Sequence, residues 1–310
     1  MSKKFLCIFF FIFAFISFAS SQDSIPTPEN TRVRDTTRMW NKGGLCGVLF
    51  AQAAYSNWSA GGENSLAATG LLNLFANYSK KKVQWDSYLD AAYGFLNSEQ
   101  YELRKNDDRL EINSAFGYRS KETNWYYAIL VNGQTQFDKG FFFPDDTTIV
   151  SDFMSPGQIK IAVGMDYKPG KHLKLLIAPV TGKSTIVLNP NVDELFYSLD
   201  SNQKWRNEYG AYVKFFFKKE VFKNITLQIK TDLFSNYAED PQNIDISAQV
   251  FVNMNVNKYV SAGITLDMIY DDNISVPIFA KNADGDKEQI GEGPRLQLKE
   301  VFTLKIAAKF

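Results

Sequence analysis

The chain has 310 residues, room for one large domain or two of ordinary size. Lys+Arg and Asp+Glu each number 34, so no excess of positive charge points to nucleic acid, and 45% hydrophobic residues exclude a disordered chain. Two cysteines, Cys7 and Cys46, cannot build a disulfide framework or a four-ligand zinc site, and the single histidine, His172, leaves little room for chemistry that needs several.

Lys3-Lys4 is a short basic start, Phe5 to Ala19 an apolar run, and Ala19-Ser20-Ser21 the small residues a signal peptidase requires. Residues 1–21 therefore read as a secretory signal, too short for an ordinary membrane span, cut near Ser21/Gln22. Cys7 lies inside the apolar run rather than at the cut, which argues against lipid attachment and leaves Cys46 as the one cysteine of the mature chain. Residues 22–39 read as a flexible periplasmic lead-in, polar and carrying two prolines.

From about residue 40 onward the pattern has period two. Twelve segments carry it in chain order: 43–56, 65–79, 83–96, 109–119, 124–138, 157–168, 172–187, 208–220, 224–237, 243–256, 259–271 and 295–310. In the segment from 225, Ile225, Leu227, Ile229 and Leu233 oppose Thr226, Gln228, Lys230 and Asp232. In the last, Leu296, Leu298, Phe302, Leu304, Ile306, Ala308 and Phe310 oppose Gln297, Lys299, Thr303, Lys305 and Lys309. Such alternation describes strands with one apolar and one polar face. Each row reaches the ~9–11 residues that a tilted strand needs to cross a bilayer.

Short and long connections alternate strictly. Five are turn-like, around Lys80-Lys82, Ser120-Thr123, Pro169-Lys171, Val221-Lys223 and Val256-Lys258; the intervening stretches 57–64, 97–108, 139–156, 188–207, 238–242 and 272–294 are mostly longer. That layout predicts an all-β fold, a single antiparallel transmembrane β-barrel of about twelve strands over residues 40–310, with periplasmic turns, external loops and both termini periplasmic. A soluble sandwich or lipocalin-like barrel would use the same alternation with the opposite sidedness. The export signal, the aromatic residues near strand ends (Trp85, Tyr118, Trp125, Tyr127, Tyr167, Tyr237, Tyr270) and the final apolar strand ending in Phe310 favour the membrane. That last strand resembles the signal read by the barrel-assembly machinery of Gram-negative bacteria.

The stretch Ser56-Asn57-Trp58-Ser59-Ala60-Gly61-Gly62-Glu63-Asn64-Ser65 resembles the signature of a Bacteroidota family known as domain of unknown function 3078. Weaker similarities follow at Thr135-Gln136-Phe137, Gly140-Phe141, Phe153-Met154-Ser155-Pro156, Gly164-Met165-Asp166-Tyr167, Pro179-Val180-Thr181-Gly182-Lys183 and Leu233-Phe234-Ser235-Asn236-Tyr237. The resemblance implies an outer-membrane β-barrel and supplies no catalytic residues. In physical terms Gly61 and Gly62 permit backbone angles closed to other residues, and Asn57 and Asn64 favour local hydrogen bonds, which suits a shaped turn; a binding role for Trp58 and Glu63 is the other reading.

Little points to catalysis. Gly182-Lys183-Ser184-Thr185 ends like a phosphate loop, but Ile177 stands where the first glycine belongs and a strand continues through it. A Ser–His relay would need His172, which lies in a tight turn at the periplasmic end. The acidic stretch with Asp271, Asp272, Asp284, Asp286, Glu288 and Glu292 misplaces the glycine of a calcium loop and reads as a solvated loop, with weak divalent binding near lipopolysaccharide as the alternative. No cofactor or metal is expected, and an outer-membrane barrel enzyme is the least favoured class.

The polar rows assigned to the lumen carry Asp86, Asp90, Glu111, Lys160, Asp166, Lys174, Lys214, Lys218, Lys230, Asp232, Asp245, Asp267, Lys299 and Lys305, with both signs in equal number. Such charges line a water-filled channel or pair and plug it, and a twelve-stranded width does not decide. Glu300 is the misfit in an outward row, close to the outer interface where a charge costs little. The expected function is passage or binding of small solutes or an amphipathic ligand; the alternative is a plugged structural or partner-binding barrel. The expected partners are outer-membrane lipid and lipopolysaccharide, with the assembly machinery acting during biogenesis, and no nucleic acid.

Overall fold

A computed structural model describes residues 39–53, 65–98, 103–121, 123–141, 147–273, 276–281 and 287–310. The signal segment and nearly all of the lead-in lie outside them. The strands are β1 (Trp40–Ala53), β2 (Ser65–Lys80), β3 (Val83–Ser98), β4 (Arg104–Arg119), β5 (Trp125–Thr135), β6 (Gly140–Phe141), β7 (Ile149–Ser151), β8 (Gly157–Tyr167), β9 (Leu173–Ile186), β10 (Trp205–Phe222), β11 (Ile225–Asn236), β12 (Ile244–Asn255), β13 (Val260–Tyr270), β14 (Val276–Lys281), β15 (Lys287–Gly293) and β16 (Gln297–Lys309). Twelve of them close into an antiparallel barrel in the order β1-β16-β13-β12-β11-β10-β9-β8-β5-β4-β3-β2, while β6–β7 and β14–β15 are separate hairpins within two of the long connections.

Every alternating segment of the sequence is one barrel strand. The first and last strands meet: Gly44 N–H donates to the Phe310 carbonyl at 2.9 Å and Phe310 N–H to the Gly44 carbonyl at 3.1 Å. Both ends of the barrel therefore lie on the side of the short turns. Strand β4 begins at Arg104, five residues before its apolar alternation does, because side chains extend it. Lys105 pairs with Asp108 at 2.7 Å, and Asp108 accepts the backbone N–H of Phe137 at 2.7 Å and of Asp138 at 3.0 Å. The acidic stretch after Tyr270 contains the β14–β15 hairpin rather than a plain loop.

Sidedness follows from exposure. Along β5, Tyr126, Ala128 and Leu130 are buried while Tyr127, Ile129 and Val131 face out. The outward apolar row continues through Val48 and Phe50 on β1, Ile112 and Phe116 on β4, Ile159 and Ile161 on β8, and Leu298, Phe302 and Ile306 on β16. A soluble monomer does not leave a continuous apolar belt in water. A closed wall with its backbone paired and an apolar exterior is what a bilayer accepts, so the chain is a transmembrane β-barrel. Aromatic side chains gather at both margins. At the turn side Trp40 packs on Tyr78 (5.1 Å between centroids) and Trp85 (6.2 Å), and Trp125 on Tyr167 (4.7 Å); at the loop side Tyr93 packs on Phe95 (5.0 Å) and Phe137 (6.3 Å).

One strand breaks the alternation. Between the pairs Gly210↔Thr181 and Tyr212↔Ala178, β10 has one residue and β9 has two; the same slip recurs against β8 between Val163↔Val180 and Met165↔Ile177. This bulge holds Pro179, which has no N–H to give to a ladder and is tolerated in a central strand only at such a place. Its consequence is a change of face: Leu176 and Ala178 point in before it, Thr181, Lys183 and Thr185 after it. Opposite the bulge the backbones approach so closely that a Cβ on Gly164 would sit 2.0 Å from the Ile177 carbonyl oxygen.

Two substitutions test the wall. Gly164→Val is expected to abolish the heat-modifiable folded band in semi-native electrophoresis. Val131→Lys, which puts a charge in the lipid-facing row, is expected to lower stability in lipid by about 2–4 kcal/mol, read from the urea midpoint; no shift would mean that Val131 does not face lipid.

Candidate functional site in the barrel lumen

The wall lines a cavity of about 260 Å³, and each of the twelve barrel strands contributes at least one side chain to its lining. Charges in that lining are unevenly spread. Asp86 and Asp90 come from β3, Asp107 from β4 and Asp166 from β8, whereas Lys174, Lys214 and Lys230 come from β9, β10 and β11, and Lys305 from β16. Arg109 on β4 and Lys168, just past β8, complete the cations.

At the turn side the charges bridge the lumen. Lys168 Nζ lies 3.3 Å from Asp86 and 2.9 Å from Asp166, and Lys174 Nζ lies 3.6 Å from Asp86. Strands β4 and β5 stand between β3 and β8 in the wall, so the two contacts to Asp86 run across the interior rather than along it. Gln84 joins them, its Oε1 accepting from Lys168 at 3.4 Å and its Nε2 donating to the Tyr126 hydroxyl at 3.0 Å. Halfway up, Glu111 accepts from the Tyr88 hydroxyl at 3.0 Å and from Asn132 at 2.8 Å. Beside it the Tyr212 hydroxyl donates to Asp232, Lys214 stands 3.8 Å from Asp232, and Lys160 stands 4.4 Å from the Tyr212 ring centroid. Nearer the loops Lys183 pairs with Glu208 at 3.2 Å and Asp245 at 3.1 Å, Arg206 with Glu208 at 3.5 Å, and Arg109 with Asp90 at 3.2 Å.

Among these charges one side of the interior is apolar. Ala128, Leu130, Ala162, Leu176, Ala178, Tyr212 and Phe234 form one buried cluster on the β5–β11 side of the lumen. A dry patch of this kind fills part of the cross-section and strengthens the neighbouring charge pairs by excluding water. At the loop rim two connections pack together. Val187, Val192 and Leu199 are buried, the Ser155 hydroxyl accepts from the N–H groups of Leu188 (2.9 Å) and Asn189 (2.8 Å), and the Tyr197 hydroxyl donates to the Val150 carbonyl at 2.6 Å. Burial pushes the Tyr197 hydroxyl up to about 12. Asp138, on the same rim, is held below the usual carboxylate range by the Lys139 N–H and then by the Tyr93 hydroxyl.

Of the residues the sequence assigns to the lumen, Asp86, Asp90, Asp166, Lys174, Lys214, Lys230 and Lys305 line the cavity. Glu111, Asp232 and Lys160 stand in the middle layer, and Asp245 in the layer near the loops. Asp267 accepts from Gln249 at 2.8 Å, and Lys299 is opposite Asp267 in the β13–β16 register, exposed near the loop end. Lys218 is buried near the turn side, where its carbonyl oxygen lies 2.9 Å from Nδ1 of His172. Asn57, Trp58, Gly61, Gly62, Glu63 and Asn64 lie outside the described residues, as do Asp284 and Asp286. Glu300 occupies the outward row, opposite Leu266. Gly182-Lys183-Ser184-Thr185 is extended strand within β9.

Sequence reasoning missed Lys183, because counting by twos along β9 puts it outside until the bulge is allowed for; Pro179 in mid-strand was the available signal. It also missed the apolar interior. The run Trp125-Tyr126-Tyr127-Ala128-Ile129-Leu130-Val131 is apolar on both faces, which betrays a strand buried on its inner side as well. Lys168 escaped because it sits in a turn, and only closure of the barrel brings it to Asp86.

A double-mutant cycle between Lys168→Met and Asp86→Asn measures the bridge. The expected coupling is about 1 kcal/mol in the urea stability of the detergent-folded barrel; additive single effects would mean that the two side chains do not meet.

No curated protein matches the chain. Among solved structures, an outer-membrane channel from Pseudomonas putida F1 aligns at a TM-score of 0.40 with 12% identity, over 87% of this chain and 95% of that one. The outer membrane channel DcaP of Acinetobacter baumannii aligns at a TM-score of 0.31 with 9% identity, over 87% of this chain and 97% of the other. Residues 50–141 match the model of the family described as Protein of unknown function (DUF3078), the same family whose motifs the sequence resembles.

Proposed function

We propose that the chain is an outer-membrane channel that passes small charged or zwitterionic solutes through its lumen. It is exported by the cleaved signal over residues 1–21 and stands with its short turns and both termini in the periplasm. One observation carries the reading: a cavity lined by all twelve strands has its carboxylates on β3, β4 and β8 and its lysines mainly on β9, β10 and β11. Adjoining arcs of opposite sign set up a field within the lumen, which orients a dipolar solute and raises the local concentration of charged ones. Catalysis forms no part of the reading, since the ring of the lone His172 is engaged with the Lys218 carbonyl at the turn side.

The bridge Asp86–Lys168–Asp166 and the apolar cluster support a second reading, a barrel plugged by its own side chains that serves a structural or partner-binding role. Reconstitution in planar bilayers separates the two. The channel reading expects stepwise conductance, and a reversal potential that moves toward cation preference when Lys214→Gln and Lys230→Gln are combined. A silent barrel that remains heat-modifiable would overturn passage and favour the plug.

A further inference from the structure

We infer that the lumen binds a polyhydroxylated anion, in its simplest form a sugar acid, on the arc of strands β11, β12, β13 and β16. The inference rests on the channel reading and deepens it by naming the class of solute and the face that holds it.

The first observation is where the lumen satisfies its own polar groups and where it does not. Asp86, Asp166, Lys168 and Lys174 pair among themselves, Arg109 pairs with Asp90, and Lys214 stands 3.8 Å from Asp232. The arc from β11 to β16 is different. Gln228 and Thr265 line the cavity, and their side chains make no hydrogen bond among the described residues. Asn253 Oδ1 and Ser261 Oγ are without a partner too, on residues only 5% and 0% exposed. Lys230 and Lys305 are the two cations of the lining that make no ion pair among the described residues, and their strands bound this arc.

The second observation is the register, which gathers these groups into one patch. Gln228, Phe251 and Thr265 stand side by side on β11, β12 and β13. The next inward row holds Asn253, Gly263 and Thr303, and the row after it Ser261 beside Lys305. All of them line the cavity. A Cβ on Gly263 would stand 2.9 Å from the Phe251 ring and 3.0 Å from Thr303 Oγ1, so the glycine lets both side chains lie against the strand.

The chemistry of the patch selects its ligand. Amide and hydroxyl side chains are donors and acceptors together, and a ligand hydroxyl answers both needs from one atom. A buried polar atom without a partner costs free energy that such a hydroxyl recovers. The Lys305 ammonium, 5.7 Å from the Phe251 ring centroid, is the one charge within the patch and takes the anionic group. Phe251 offers apolar surface to the C–H groups between the hydroxyls. A wall of this kind replaces the water that a polyol sheds on entering, which is how a pore selects. The self-paired charges elsewhere in the lumen have less to give.

The test is saturation-transfer NMR on the full-length barrel in lipid nanodiscs, which reads binding without requiring conductance. The probes are gluconate, hexanoate (the carboxylate without hydroxyls) and sorbitol (the hydroxyls without charge). Gluconate is expected to bind at least about tenfold more tightly than either. Gln228→Leu combined with Thr265→Val is expected to remove its advantage over hexanoate, and Lys305→Met its advantage over sorbitol. Should the double variant not give a heat-modifiable band, Thr265→Val alone is expected to cut the advantage over hexanoate by about threefold. No binding of gluconate to the folded barrel would mean that water alone serves the arc, and would overturn the inference. Equal binding of gluconate and hexanoate, or preferences that survive in the variants, would overturn it as well. A barrel that prefers gluconate in this way but conducts no ions would support the site and overturn passage alone.

Discussion

The requirement that every backbone N–H and C=O find a partner within the bilayer governs this structure. No partner exists in hydrocarbon, so a sheet that spans it must close. Twelve strands satisfy one another in turn, and the whole circle depends on the junction where the last meets the first. There the chain uses small residues: Gly44, Gly47 and Ala307 let the two backbones come together, with Gly44 and Phe310 exchanging hydrogen bonds in both directions. The same closure decides which charges meet. In sequence Asp86 and Lys168 are far apart; in the closed wall they meet at 3.3 Å.

That dependence explains how the electrostatics are organised. The chain carries 34 charges of each sign, and its overall neutrality hides the arrangement. Strand order places carboxylates on β3, β4 and β8 and lysines on the neighbouring arc of β9, β10 and β11, and Lys174 on β9, 3.6 Å from Asp86 on β3, pairs between the two. Several of these groups are partly buried, so each depends on its partner, since removal of one leaves a desolvated charge behind. The apolar cluster of Leu130, Ala162, Leu176, Tyr212 and Phe234 has the same effect on its surroundings: it keeps water from the middle layer and gives the pairs around Glu111 and Asp232 a defined geometry.

Much of this was legible beforehand, for a physical reason. A strand with lipid on one side and water on the other writes its sidedness at every second residue, and turns between such strands are marked by polar residues. All twelve strands were readable from that pattern. Where strands face something other than lipid and water, the pattern fails. Both faces of β5 are apolar because its inner side packs on Ala162 and Leu176. The first residues of β4 are charged because Asp108 ties them to the next segment. Past Pro179 the bulge inverts the face of β9, so Lys183 points in where alternation points it out. Pairings across the lumen were beyond the sequence altogether, since no local pattern records which strands end up opposite.

The two properties that set this lumen apart, its crossed charges and its apolar lining, pull in different directions if passage runs only along the axis. Ion pairs such as Asp86–Lys168 narrow the turn-side end, and an apolar wall offers nothing to a hydrated ion. The strand order that closes the sheet confines that conflict to one side. The buried cluster lies on β5 to β11, among the charged strands. The five strands around the seam line the cavity mostly with uncharged polar side chains, Asn73, Gln249, Asn253, Ser261, Thr265 and Thr303, beside Leu49, Leu71, Phe251 and Lys305. A hydrated solute therefore meets neutral hydrogen-bonding groups on the seam side and fixed charges on the other.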